Sequence, residues 1–153
     1  MSKDKKTAKS RVAIVVSRFN EDVTSGLLKG ALAELDDRGV RVAEGDIITA
    51  PGAFEIPLIA QKLAQTGKFE GVVCLGCVIK GDTAHFEYIS EAASHGLMQA
   101  SLKTGVPLAF GILTTYEEEQ AVVRSRDDAH NKGREAAAAC VESMAVLAGI
   151  TAR

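Results

Sequence analysis

Four short apolar runs, three of them leading into a segment of helical spacing, constrain this chain more than any other feature. The first, Arg11-Val-Ala-Ile-Val-Val-Ser17, has no polar alternation and reads as a strand buried on both faces. After it, Val23, Leu27, Leu28, Ala31, Leu32 and Leu35 recur at helical spacing. Asn20 stands where an N-cap belongs, Glu21 and Asp22 occupy the favourable first turn, and Gly39 supplies the stop. A second strand falls within residues 40–49, a third at 71–79 and a fourth at 106–113. Strands that alternate with helices imply right-handed crossovers, hence a parallel sheet covered on both faces.

The remaining punctuation agrees. Pro51-Gly-Ala-Phe-Glu-Ile-Pro57 is a turn feeding a helix that runs to about residue 66, with Pro57 tolerable only in its first turn. A helix begins just after His85 and ends before Gly105. Thr115-Tyr-Glu-Glu118 has the form of a capping box, opening a short helix toward Arg124, and an alanine-rich helix spans 131–148.

In open parallel sheets, ligands bind outside the carboxyl ends of the strands. The chemically unusual residues fall there: Phe19 and Asn20 after strand one, Ala53, Phe54 and Glu55 after strand two, Lys80 to His85 after strand three, Thr114 and Thr115 after strand four. The third group is the richest. Glycine lets a backbone turn its amides outward, a helix start adds unpaired N–H groups, and imidazole shuttles protons near neutral pH. Lys80-Gly-Asp-Thr-Ala-His85 therefore reads as a phosphate turn with a proton-transfer group, or as a polar loop capping a helix with His85 exposed.

Other candidates carry two readings each. Phe19 is placed either to stack on a planar ligand or to staple the following helix. Glu55 either accepts hydrogen bonds from ligand hydroxyls or is a carboxylate favoured by a helix N-terminus. Arg124 and Lys132 flank a polar turn, as phosphate-gripping cations or as solvated ones. His95 and His130 receive no role, and the three histidines lack metal-ligand spacing.

Length and charge narrow the class. A chain of 153 residues fits one domain, expected at 11–153 behind a polar tail at 1–10. A net charge of −2 gives no nucleic-acid footprint. No apolar run approaches membrane-spanning length, and the run after the basic N-terminus is too short for a signal-peptide core, so a cytoplasmic protein is expected. Cys74-Leu-Gly-Cys77 has C-x-x-C form, but it lies in a strand where residues three apart face opposite ways, and no second pair completes a zinc site. Buried structural cysteine is the expectation for Cys74, Cys77 and Cys140.

Taken together, six stretches closely resemble the lumazine synthase family. They are Ser17-Arg-Phe-Asn20, Pro51-Gly-Ala-Phe-Glu-Ile-Pro57, Gly76-Cys-Val-Ile-Lys-Gly-Asp-Thr-Ala-His85, Gly111-Ile-Leu-Thr-Thr115, Glu119-Gln-Ala-Val-Val-Arg124 and Asn131-Lys-Gly133. They stand in order and cover the chain from about residue 11 to 149.

The resemblance implies a flavodoxin-like three-layer αβα fold with a four-stranded parallel sheet in the order 2-1-3-4. Its activity is condensation of 5-amino-6-(D-ribitylamino)uracil with 3,4-dihydroxy-2-butanone 4-phosphate to 6,7-dimethyl-8-ribityllumazine, releasing phosphate and water. It implies that Phe19, with Asn20 beside it, meets the pyrimidine, that Ala53, Phe54 and Glu55 line the ribityl chain, and that Val78, Ile79 and Lys80 border the ring. Asp82 and Thr83 would bind phosphate through their backbone, and His85 would move protons. Phe110, Arg124 and Lys132 would come from a neighbouring subunit, the two cations serving the phosphate. No cofactor or metal is required.

The family assembles as homopentamers, sometimes twelve of them in a 60-subunit shell, with a tail able to add a strand to a neighbour's sheet, here at residues 7–10. This chain departs at Ser125-Arg-Asp-Asp-Ala-His130, where shell-forming members often carry a glycine-containing turn, so the pentamer is the firmer implication. A functional link to riboflavin synthase is also implied. Two non-catalytic rivals fit poorly. A flavodoxin phosphate loop wants hydroxyls and glycines where Arg18-Phe19-Asn20 stands, and a receiver domain wants an aspartate where Cys77-Val-Ile-Lys80 stands. A paralogue kept for flavin binding or scaffolding is separated from the enzyme by a product assay.

Overall fold

Strands without polar alternation need cover on both faces, and the computed structural model, which describes residues 10–153, supplies it. β1 (Val12–Ser17), β2 (Ile47–Ala50), β3 (Gly71–Ile79) and β4 (Leu108–Thr115) form one all-parallel sheet in the order β2-β1-β3-β4. Every residue of β1 and all but the last of β3 are buried, as central strands require. The longest pairing joins β3 to β4, from Val72↔Leu108 to Ile79↔Thr115.

Five helices cover the sheet: α1 (Glu21–Asp37), α2 (Ile56–Gln65), α3 (His85–Thr104), α4 (Glu118–Val123) and α5 (Lys132–Thr151). Alternate residues of each strand feed two separate cores. Ile14, Val16, Val73 and Leu75 pack with Leu27 and Leu35 of α1 and Ala137 of α5. Ala13, Val15 and Val72 pack with Ile56 and Ala60 of α2 and Leu97 of α3. Each fully buried Val, Leu or Ile contributes roughly 1.5–3 kcal/mol, so the two central strands anchor both layers.

The cysteines behave as small hydrophobes. Cys77 belongs to the first core and Cys74 to the second, on opposite faces as their spacing demands, and Cys140 joins the first. All three are free and buried. Burial pushes the Cys77 and Cys140 thiols up to about 12 and Cys74 higher still, which keeps them protonated and inert.

Several boundaries differ from the sequence expectation for identifiable reasons. β4 starts and ends two residues later than 106–113: Pro107 has no N–H to give, the Val106 N–H is taken by Thr104 Oγ1, and the ladder runs on through Thr114 and Thr115. β2 is confined to four residues, because Arg41 makes only an isolated bridge to Arg11 and a 3₁₀ turn, Glu44–Asp46, intervenes. That turn is pinned by Arg11, whose Nε and Nη2 donate to Asp46 Oδ2 and Oδ1 at 2.9 and 3.1 Å.

The capping box of α4 lies two residues beyond Thr115. It is made by Glu117 and Gln120, while the Thr115 hydroxyl donates to the Glu117 carbonyl at 3.0 Å. The tail expected to join a neighbour's sheet falls almost wholly outside the described residues. Among those described, no helix is long and apolar enough to cross a membrane.

Candidate active site

The first wall of the site is the turn that leaves β1. Asn20 sits at the N-terminus of α1 in the left-handed region, with φ 61° and ψ 53°, a conformation its short polar side chain tolerates. It does not cap the helix through that side chain, as its position had led us to expect. Its Nδ2 instead donates to the Cys77 carbonyl at 3.0 Å, tying the β1 turn to the end of β3. Its own carbonyl accepts the Val23 and Thr24 N–H groups, each at 3.0 Å. With the turn held on both sides, Phe19 projects outward, 68% exposed. It is not packed away as a hydrophobic staple.

The second wall follows β2. Ala53–Glu55 is a single 3₁₀ turn running directly into α2, with Pro57 in the first turn of that helix. Ala53 is buried, while Phe54 and Glu55 are exposed. Cys77, Val78 and Ile79 of β3 form the back of the cleft, and His85 and Ile89 of α3 close the remaining side. The cleft has a volume of about 480 Å³, and Phe19, Asn20, Ala53, Phe54 and Glu55 line it together with the histidine. Small-molecule sites span roughly 300–1,000 Å³, so the cleft has the size of one.

The turn between β3 and α3 continues the sheet for one more bond, from the Lys80 N–H to the Thr115 carbonyl at 2.8 Å. Lys80 Nζ then reaches Glu87 Oε2 at 3.8 Å. Asp82 and Thr83 are exposed, and Thr83 Oγ1 accepts the His85 N–H at 3.3 Å. A twenty-residue helix thus begins beside an open polar turn, with the positive end of its dipole toward it. The His85 side chain is exposed and makes no hydrogen bond among the described residues.

Phe110, Arg124 and Lys132 do not join this cleft. They line a separate recess of about 280 Å³ beside the edge strand β4, together with Thr114, Thr115 and His130. Phe110 is 42% exposed there. Arg124 Nη1 donates to the Gln120 carbonyl at 2.9 Å, and Lys132 Nζ pairs with Glu135. The Lys132 N–H donates to the Arg124 carbonyl at 2.8 Å, so the two cations are joined through their backbone.

Eight of the residues singled out from sequence therefore meet in one cleft: Phe19, Asn20, Ala53, Phe54, Glu55, Val78, Ile79 and His85. Lys80, Asp82 and Thr83 stand on the turn joining its back to its histidine wall. Ile89 was missed, although it lies one helical turn beyond His85 on the same face, a spacing that would have found it. His130, left without a role, stands in the second recess.

A parallel sheet in the order 2-1-3-4, helices on both faces and a cleft outside the strand carboxyl ends define a flavodoxin-like α/β protein. A model of one such group, described as 6,7-dimethyl-8-ribityllumazine synthase, matches residues 9–148, and the chain belongs to that family. It is 66% identical over 137 residues to 6,7-dimethyl-8-ribityllumazine synthase 1 of Caulobacter vibrioides, covering 90% of each chain. It is 51% identical over 137 residues to 6,7-dimethyl-8-ribityllumazine synthase of Salinibacter ruber, covering 90% of this chain and 87% of that one.

Proposed function

We propose that the protein is a 6,7-dimethyl-8-ribityllumazine synthase, a transferase of riboflavin biosynthesis. It condenses 5-amino-6-(D-ribitylamino)uracil with 3,4-dihydroxy-2-butanone 4-phosphate and releases phosphate and water. Family membership is joined by one structural observation that supports the reading: a single cleft lined by an exposed aromatic, a carboxylate and an imidazole at a helix N-terminus. In this reading Phe19 stacks on the pyrimidine, with Asn20 beside it. Ala53, Phe54 and Glu55 follow the ribityl chain, Glu55 accepting its hydroxyl hydrogen bonds. Val78, Ile79 and Lys80 border the ring.

Phosphate lies on the backbone of Asp82 and Thr83 at the start of α3, where unpaired N–H groups and the helix dipole favour an anion. The amine nitrogen attacks the ketone carbon, and water leaves as the imine forms. A base removes a carbon-bound proton, phosphate departs with the electron pair of its C–O bond, and the enol becomes the second ketone. The ribityl-bearing nitrogen closes the ring with a further loss of water. Each step needs proton transfer and alignment, and His85 is placed to move protons beside the leaving phosphate.

Arg124 and Lys132 complete the phosphate site and Phe110 its aromatic side, contributed by a neighbouring copy. The separate recess that these three occupy on their own chain supports this arrangement. A head-to-tail contact that closes into a ring lets every subunit give one half-site and receive the other, as a homopentamer alone or twelve-fold in a shell. Residues 11–153 act as one domain behind a short tail. The cytoplasm is the compartment, in keeping with three free cysteines, and riboflavin synthase consumes the product.

Anaerobic incubation with both substrates, followed by lumazine fluorescence, tests the activity, and absence of product overturns it. Refolding an equal mixture of His85→Ala and Arg124→Ala chains tests the shared site. Random assembly restores both groups at roughly a quarter of the sites in a cyclic heterologous ring. Activity equal to the mean of the two variants, with subunit exchange verified, refutes sharing.

A further inference from the structure

Asn131 immediately precedes α5 and is 1% exposed, yet it uses the full hydrogen-bonding capacity of its side chain. Oδ1 accepts the Gly133 and Arg134 N–H groups at 2.8 and 3.1 Å, which caps α5. Nδ2 donates to the Arg126 carbonyl at 2.8 Å and to the Gly26 carbonyl, 105 residues away on α1, at 3.1 Å. The cap needs only the oxygen. The nitrogen serves the loop between α4 and α5.

That loop carries both cations of the second recess, Arg124 at its entry and Lys132 at its exit. Its ends are closed by the Lys132 N–H to Arg124 carbonyl bond. α1 is shaped to receive it. A Cβ on Gly26 would stand 2.4 Å from the Ser125 carbonyl oxygen, and one on Gly30 would stand 2.1 Å from Asn131 Oδ1. Two glycines four apart open one face of α1 so that the loop rests on it at backbone distance.

We propose that Asn131 is a positioning residue for the Arg124–Lys132 pair: its amide nitrogen locks the loop onto α1 and so sets where the two cations point. The proposal rests on the reading that these cations serve the phosphate of the butanone substrate. It explains the amide in a position where helix capping alone is met equally well by serine or aspartate.

Asn131→Ser is the test, because serine keeps an acceptor for the cap, stays neutral and loses both donations from the nitrogen. Both carbonyls left behind retain other partners, Gly26 within its helix and Arg126 from the Asp128 N–H, so folding is expected to survive. The Michaelis constant for 3,4-dihydroxy-2-butanone 4-phosphate should rise about tenfold, the low end of what losing one charge-assisted hydrogen bond costs. Inhibition by inorganic phosphate should weaken in parallel, while the constant for the uracil substrate stays near wild type and the melting temperature falls by only a few degrees, as the loss of two hydrogen bonds predicts.

Arg124→Ala is measured alongside. If it leaves the phosphate substrate unaffected, the phosphate reading itself fails. If it raises that constant and Asn131→Ser does not, the positioning role alone is overturned. Equal losses for both substrates with a lowered melting temperature also overturn it, since a purely structural role predicts that. Should the serine variant not fold, Asn131→Thr, which caps as well, is read in its place. Failure of both assigns Asn131 to stability and overturns the proposal.

Discussion

The cleft lies at the carboxyl ends of β1 and β3, whereas the recess runs along the edge strand β4, and the two are built from different side chains. One side-chain bond and backbone geometry shape the cleft: a left-handed Asn20 whose Nδ2 reaches the Cys77 carbonyl, a 3₁₀ turn at Ala53–Glu55 and the start of α3 at His85. Its side chains are largely apolar or aromatic, and Glu55 and His85 are its titratable side chains apart from the Cys77 thiol, which stays protonated. The recess depends on a loop held by side-chain hydrogen bonds, and its character is set by Arg124, His130, Lys132 and Glu135.

The contrast suggests a division of labour under the proposed function. A planar ring would use the largely apolar cleft, and a phosphate would use the α3 start at its edge together with the cations of a neighbour's recess. A reaction that joins a ring to a phosphate ester needs both kinds of surface, and this chain carries them apart.

Substitutions in each region should separate the two. The largest effect is expected from His85→Ala, which should lower turnover by on the order of 10²-fold, the low end for general acid–base groups, because solvent reaches an exposed imidazole and can relay protons. Unchanged single-turnover rates would remove His85 from the chemistry and leave the cleft a binding surface only.

Arg124→Ala comes next. Loss of a charge-assisted hydrogen bond costs about 1.5–3 kcal/mol, or roughly tenfold to a hundredfold in affinity. The loss should fall on the butanone phosphate and spare the uracil. Equal losses in steady-state kinetics would erase the distinction between cleft and recess.

Phe19→Ala should do the reverse at smaller scale. Aromatic stacking contributes about 0.5–1.5 kcal/mol beyond area, so affinity for ring ligands should fall about two- to tenfold. Titration with riboflavin reads this directly, and weak binding reduced by the substitution is the expected outcome. Tight stoichiometric flavin with a reversible reduction cycle would favour a flavodoxin-like role instead.

The smallest effect on catalysis is expected from Asp46→Asn, which lies in neither region. The hydrogen bond from Arg11 holds the Asp46 carboxyl below the ordinary carboxylate range, against the opposing effect of desolvation. A depressed folded pKa stabilises the protein above the ordinary carboxylate pKa, and that contribution is lost as pH falls through the folded value. Wild type should therefore be more stable than the variant at neutral pH, with the gap closing below about pH 4. Kinetic constants should not move. A gap that persists undiminished in acid would show that the ion pair is not its source.

Part of the fold and of the site is legible in the sequence. Four runs and their helical intervals are local patterns, and local patterns survive without knowledge of partners. The burial of Cys74 and Cys77 on opposite faces followed from spacing alone. Capping was less legible. Thr115 has the right neighbours for a capping box, yet β4 keeps it as a ladder residue, and Glu117 with Gln120 takes the cap. The same ladder chemistry moved β4 past Pro107.

The strand and helix order, the parallel sheet and the carboxyl-end location of the unusual residues were settled by sequence alone, because hydrophobic period and turn chemistry act over a few residues. Tertiary structure decided which of those residues share a surface. Asn20 bonds a carbonyl 57 residues away, and Asn131 bonds one 105 residues away. An amide has the same donors at either position, and only the backbone that arrives beside it determines whether it caps a helix, ties a turn or holds a loop.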